Sequence, residues 1–171
     1  IDSFQKVNGS GIKKLKKEGI NVITHLLNQE SRILNKRFFT FHEKNRPYII
    51  LKWAQSKDHF IAPKYQKGPF WMTNNEAKKL SHQWRAEEDA IMIGRITAEK
   101  DNPLLTAREV KGKNPLRIVI DRQLKLTDEL NIFNNDSDTI IINELENKNN
   151  NTNTFIKIDF DSLILELLKR K

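Results

Sequence analysis

Apolar and polar positions alternate along this chain in blocks whose length and period separate strands from helices. Ala90 to Gly94 (AIMIG) is continuously apolar and closes on a glycine, the pattern of a strand covered on both faces in a parallel sheet. Arg117 to Asp121 (RIVID) and Thr139 to Ile142 (TIII) are rich in β-branched residues and bounded by turn formers, and Thr154 to Ile158 alternates as another strand. Pro47 opens PYIILKWAQS, whose run Tyr48 to Leu51 reads as a further buried strand, with Ser56, Lys57 and Asp58 as its polar exit.

Helical spacing fills the gaps between these runs. NGSGIKKLKKEGINV, Asn8 to Val22, predicts a glycine turn, a short helix ending at Gly19 and a strand from Ile20. Gln29 to Phe41 places Ile33, Leu34, Phe38, Phe39 and Phe41 on a helix with an aromatic face. Thr73 and Glu76 form a capping box before a helix from about Asn74 to Ala86, with Ala77, Leu80, Ser81 and Trp84 inward. A last helix is expected over about Asp161 to Lys169, and the asparagine-rich Asn147 to Asn153 is expected to be a surface loop. Strands alternating with helices, without a fixed repeat, predict a mostly parallel α/β sheet with flanking helices.

Composition narrows the chemistry. A length of 171 residues at 37% hydrophobic content supports one domain with a core, or one domain plus a fragment. There is no cysteine, which excludes disulfides, thiolate zinc sites and cysteine nucleophiles. No apolar stretch approaches the roughly 20 residues of a membrane helix, and no apolar signal region opens the chain, so a soluble, cytoplasmic protein is expected. The formal charge of +8 favours phosphorylated ligands or polyanions. Lys13, Lys14, Lys16 and Lys17, and again Lys169, Arg170 and Lys171, read as solvated helix faces, and no nucleic-acid motif accompanies them.

Candidate chemistry gathers where polar residues follow the AIMIG strand. Thr97, Asp101, Asn102 and Arg108 are expected just past its carboxyl end, where open α/β sheets bind ligands. Arg85 and Arg108 offer guanidinium forks to phosphate, although Arg85 can equally pair with Glu87 or Glu88. Trp71 and Thr73 precede a helix, where an anion is favoured and where a plain cap is an equal reading. Lys52 and Asp58 flank the Tyr48 strand as candidates for proton handling, or Lys52 simply snorkels. Gly9 and Gly11 lack the third glycine of a dinucleotide loop, that position being Lys14. His25, His42, His59 and His82 have no metal-ligand spacing, so no metal site is expected.

In order, KWAQSKD (Lys52 to Asp58), WMT (Trp71 to Thr73), HQWRAEEDAIMIG (His82 to Gly94), Thr97, DNPLLTAR (Asp101 to Arg108) and PLRIVID (Pro115 to Asp121) span about 70 residues. These blocks resemble the reductase domain of the bifunctional riboflavin-biosynthesis deaminase/reductase. NGSGIKKLKKEGINV and LNKRFF, from Leu34, resemble the end of its deaminase domain and the connection that follows. The resemblance implies residues 1–45 as the deaminase tail with a connecting helix, and 46–171 as the N-terminal part of a dihydrofolate-reductase-like domain, incomplete at its C-terminus. It implies NADPH-dependent reduction of a phosphoribosylamino-pyrimidine to its ribityl form, in a possible homodimer. Ala54, Trp71, Thr97 and Asp101 fall at NADPH positions; Arg85, Leu105 and Arg108 fall at substrate positions, the arginines toward its phosphate.

The chain departs from that pattern at His59, where a glycine is usual, and at Pro69, where a small polar residue is usual. The deaminase's histidine, glutamate and paired cysteines are absent, and so is the acidic, glycine-rich turn expected beyond Lys171. Two other readings stand beside it: a same-fold pyridine-nucleotide reductase with another substrate, and a basic polyanion-binding module.

Overall fold

The computed structural model describes residues 7–65 and 70–162. The chain divides into two units, Ile1–Lys52 and Trp53–Lys171. In the first, helices α1 (Ser10–Lys17), α2 (Asn28–Leu34) and α3 (Lys36–Lys44) are joined by short turns, and none of its described residues is buried. The helix predicted over 29–41 is broken at Asn35, whose side-chain amide donates to the Ser31 carbonyl at 2.9 Å. A side chain that competes for helix carbonyls in this way interrupts the ladder.

No strand begins at Ile20. Its amide donates to Leu15 and that of Gly19, at φ 76°, to Lys16, closing α1 with the paired bonds of a left-handed cap. The strand expected over Tyr48 to Leu51 is also absent: the segment has no regular structure, and Ile49 and Leu51 are largely exposed. An apolar run becomes a strand only when a neighbouring strand supplies hydrogen bonds, and the described residues offer it none.

In the second unit, α4 (Asn75–Glu87) leads into β1 (Ala90–Gly94), α5 (Arg95–Asp101), β2 (Leu116–Ile120), a 3₁₀ turn (Asn131–Phe133), β3 (Thr139–Asn143), β4 (Lys148–Asn150) and β5 (Asn153–Lys157). The sheet order is β1-β2-β3-β5-β4; the first four are parallel, and β4 is antiparallel to β5. The polar segment expected to be a loop therefore supplies an edge strand. Asn151 takes φ 46° in the tight turn, a conformation asparagine tolerates, and Asn147 Oδ1 accepts from the Lys157 amide at 2.9 Å.

The α4 cap is Asn74 rather than Thr73, its Oδ1 accepting from the Ala77 amide at 2.9 Å. β1 is covered less than its sequence suggests. It is the edge of the described sheet, its residues alternate between exposed and half-buried, and Met92 is more than half exposed. The core lies instead on β2 and β3, where Val119 and Ile141 are in register and pack with Ala98, Leu105 and Ile132. The same buried face carries Arg117 and Thr139 at its amino end and Asp121 and Asn143 toward its carboxyl end. A helical turn begins at residues 160–162 on a cap from Asp159, which accepts from the Asp161 and Ser162 amides. The remainder of the final helix, like Pro69, lies outside the described residues.

Candidate active site

The segment that follows α5 packs along one face of α4. Lys78, His82 and Arg85 recur at helical spacing, and each meets that segment. Lys78 pairs with Glu109 at 2.9 Å. Arg85 Nη1 donates to the Thr106 carbonyl at 3.2 Å, while Arg108 Nη1 reaches the Thr106 hydroxyl at 3.5 Å. Both arginines are thus gathered at one residue. The segment is fixed at its base by the Ala107 amide, which donates to Asn114 Oδ1, and by the Asn114 amide, which donates to the Asp136 carbonyl, both at 2.9 Å.

Electrostatics at this cluster are one-sided. Burial, followed by the neighbouring Arg108 charge, lowers the pKa of the Arg85 guanidinium from its ordinary value. His82 is fully buried, and neither ring nitrogen makes a well-formed hydrogen bond among the described residues. Burial pushes its pKa down, reinforced by Arg85 and Arg108, with Glu109 and the Thr106 backbone pulling the other way. Glu109 is itself held below the usual carboxylate range by its bond to Lys78.

Leu105 is buried within the core at φ 57°, a costly conformation for a branched side chain that packing must enforce. Its side chain is committed to the interior. A surface pocket of about 370 Å³ is lined by Leu104, Thr106, Ala107, Arg108, Val110, Gly112, Asn114 and Asp136.

The residues expected past the carboxyl end of β1 do not form one group. Thr97 is exposed in the first turns of α5 and Asp101 closes that helix half-buried. Asn102 is spent on the chain, accepting from the Asn131 amide at 2.7 Å and, through its carbonyl, from the Asn131 side chain at 2.8 Å. Arg108 lies further on, beside α4 and the segment leading to the amino end of β2, because α5 and its return separate it from Thr97.

Ala54 is half-buried. Asp58 is exposed and accepts from the Ser56 hydroxyl at 2.5 Å. Trp71 is more than half exposed with Lys78 Nζ 5.6 Å from its ring centroid. Lys52 is exposed at the end of the first unit. At the carboxyl end of β2, Asp121 is buried; its Oδ2 accepts from the Leu126 amide at 2.9 Å, while Oδ1 has no hydrogen-bond partner among the described residues. His82, Thr106, Gly112 and Asn114 were not singled out by the pattern of the sequence as site residues; the spacing of Lys78, His82 and Arg85 is the signal that points to the first of them.

Comparison with known proteins decides the family, since residues 47–171 match the model described as the RibD C-terminal domain. This chain belongs to that family. It is 37% identical over 150 residues to the riboflavin biosynthesis protein RibD of Aquifex aeolicus, covering 86% of this chain and 42% of the relative. The RibD of Synechocystis is 34% identical over 169 residues, covering 98% and 46% respectively. A solved diaminohydroxyphosphoribosylaminopyrimidine deaminase/5-amino-6-(5-phosphoribosylamino)uracil reductase from Thermotoga maritima superposes with a TM-score of 0.80 at 31% identity, over 96% of this chain and 48% of that one. RibD from Acinetobacter baumannii, at 23% identity and a TM-score of 0.77, shares the fold over 99% of this chain and 49% of that one. The chain thus spans less than half the length of these RibD relatives, and its mostly parallel sheet with flanking helices is the architecture of the RibD structures.

Proposed function

We propose that this chain is the reductase portion of a riboflavin-biosynthesis protein, reducing the ribose of 5-amino-6-(5-phosphoribosylamino)uracil to the ribityl chain with NADPH. In this reading residues 1–45 are the tail of a deaminase domain with its connecting helix, and 46–171 the N-terminal part of the reductase. The observation that carries the substrate is the meeting of Arg85 and Arg108 at Thr106. Two guanidinium groups with no carboxylate bonded between them among the described residues suit a phosphate monoester, which accepts parallel N–H bonds.

When bound, the nicotinamide would supply hydride to the sugar carbon. The chain's own task is to hold the two reacting carbons at roughly 3–3.5 Å. Ala54, Trp71, Thr97 and Asp101 are proposed to hold the cofactor; the exposed Trp71 face and the Thr97 hydroxyl fit that role. Arg85, the Leu105 backbone and Arg108 are proposed to hold the substrate, with Lys52 and Asp58 handling the proton that the new hydroxyl takes up. No helix among the described residues is long and apolar enough to cross a membrane; a cytoplasmic site of action and a homodimer are part of the same proposal.

Titration with NADPH and NADH, followed by nicotinamide fluorescence at low and moderate salt, tests the cofactor assignment. Saturable binding that prefers NADPH is expected. Arg108→Ala should weaken the phosphorylated substrate about 10- to 100-fold, the loss of a charged hydrogen bond, while NADPH affinity changes less than about twofold. Equal losses for both ligands would sink the assignment of Arg108. Unimpaired turnover of a dephosphorylated substrate would favour a reductase of this fold with another substrate, and salt-sensitive binding to any DNA would favour the polyanion reading.

A further inference from the structure

We propose that His82 is a proton-linked positioning residue for phosphate, taking up a proton from solvent when a phosphate dianion settles against Arg85 and Arg108. The inference rests on the assignment of those two arginines to the substrate phosphate. His82 is wholly buried, and neither ring nitrogen makes a well-formed hydrogen bond among the described residues; the Thr106 backbone lies near enough to favour its charged form, but the Thr106 carbonyl already accepts from Arg85. A buried imidazole held so weakly costs free energy in a purely structural role. This one is set on the α4 face that also carries Arg85, against the segment that carries Arg108.

The charges around His82 explain the coupling. Arg85 comes from its own helix, Arg108 and Glu109 from the facing segment, and Lys78, one turn back on α4, occupies Glu109 in an ion pair. Burial first, and then the two arginine charges, disfavour the imidazolium. A bound dianion cancels the field of both arginines and leaves the burial penalty alone. The imidazole is then easier to protonate, and the third positive charge in turn holds the dianion. By linkage, whatever affinity the proton gives the anion, the anion gives the proton. The consequence is discrimination: a dianionic phosphate ester is favoured over a monoanion such as a carboxylate, which cancels only half of that field.

The test follows the imidazole resonances of the full chain labelled on histidine, between about pH 5 and 8, with and without saturating anion. Inorganic phosphate serves as the probe, sulfate as a dianion that does not titrate over this range, and chloride at matched ionic strength as the control. His82 is recognised among the four histidines by the resonance lost in His82→Gln. The expected result is that phosphate and sulfate, but not chloride, raise the His82 midpoint by about one pH unit, equivalent to roughly tenfold tighter anion binding to the protonated form. In Arg108→Ala the midpoint should rise without anion, and the anion should no longer move it.

Two failures are distinguishable. Arginine-dependent sulfate binding with an unmoved His82 midpoint overturns the inference and leaves the proposed function standing. Absence of any arginine-dependent phosphate or sulfate binding overturns the phosphate assignment and this inference with it. Should His82→Gln fail to fold, His25→Gln, His42→Gln and His59→Gln assign the other three resonances and leave that of His82.

Discussion

Gly112 lies so close to Ala86 that a Cβ built upon it would stand 2.6 Å from the alanine Cβ. Neither atom ends a flexible side chain, so Gly112→Ala must push the segment carrying Thr106 and Arg108 away from α4. A loss of about 1–3 kcal/mol is expected, seen as a lower Tm, together with weaker phosphate binding by the displaced Arg108. A Tm equal to that of the wild type would show that the segment is not held by this contact. His82 makes a pH prediction of its own. Its folded pKa lies below the ordinary value, so the unfolded chain binds more protons than the folded one once the pH falls below about 6.5. That part of the stability is present above this pH and is lost on acidification through the folded pKa. Denaturant melts at several pH values should therefore show a steeper acid loss for the wild type than for His82→Gln; parallel curves would contradict it.

At the scale of elements, the β2–β3 crossover is organised by one side chain. Arg117, fully buried near the start of β2, donates from Nε to the Thr139 hydroxyl at 2.9 Å, from Nη1 to the Asn131 carbonyl at 3.1 Å and to Asn134 Oδ1 at 2.8 Å. Its Nη2 donates to the carbonyls of Asn134 and Ser137. The crossover between the two strands is thereby wrapped around a guanidinium that offers five N–H groups in a fixed plane. Arg117→Ala would leave those part-buried acceptors unpaired, at a cost of about 1–3 kcal/mol, readable as a lower urea midpoint. A change below about 1 kcal/mol would mean that water replaces the guanidinium without loss. The α4 start is a smaller effect of the same kind: Asn74→Ala removes the cap and is expected to cost about 1 kcal/mol.

Across the whole molecule, the two units differ in kind. The first has helices but no buried residue among those described, whereas the second has a layered core around Val119 and Ile141. Within the second unit the outer edge of β1 has no partner among the described residues, and Met92 projects from it largely uncovered. Unpaired apolar edges promote association. Met92→Lys should therefore lower the association of this chain measured by light scattering at a fixed concentration; an unchanged mass distribution would show that the edge is not the contact.

The strands β1, β2, β3 and β5, and the helix α4, were legible in the sequence because their signals are local. A β-branched run between turn residues, or a capping residue before an apolar period, carries its own structural preference. The arginines could be proposed as phosphate ligands from the sequence because that chemistry belongs to the residue type, and the ordered blocks made the family readable. The rest depended on partners distant in the chain. Tyr48 to Leu51 has no neighbouring strand among the described residues and forms none itself. Asn147 to Asn153 became part of a hairpin once Lys148, Asn149 and Asn150 could pair with the Asn153 strand. The spacing of Lys78, His82 and Arg85 hints at a shared face, but only folding shows that His82 is buried within the field of Arg85 and Arg108. Local preference is set by neighbours along the chain; burial, pairing and electrostatic environment are set by residues that only folding brings near.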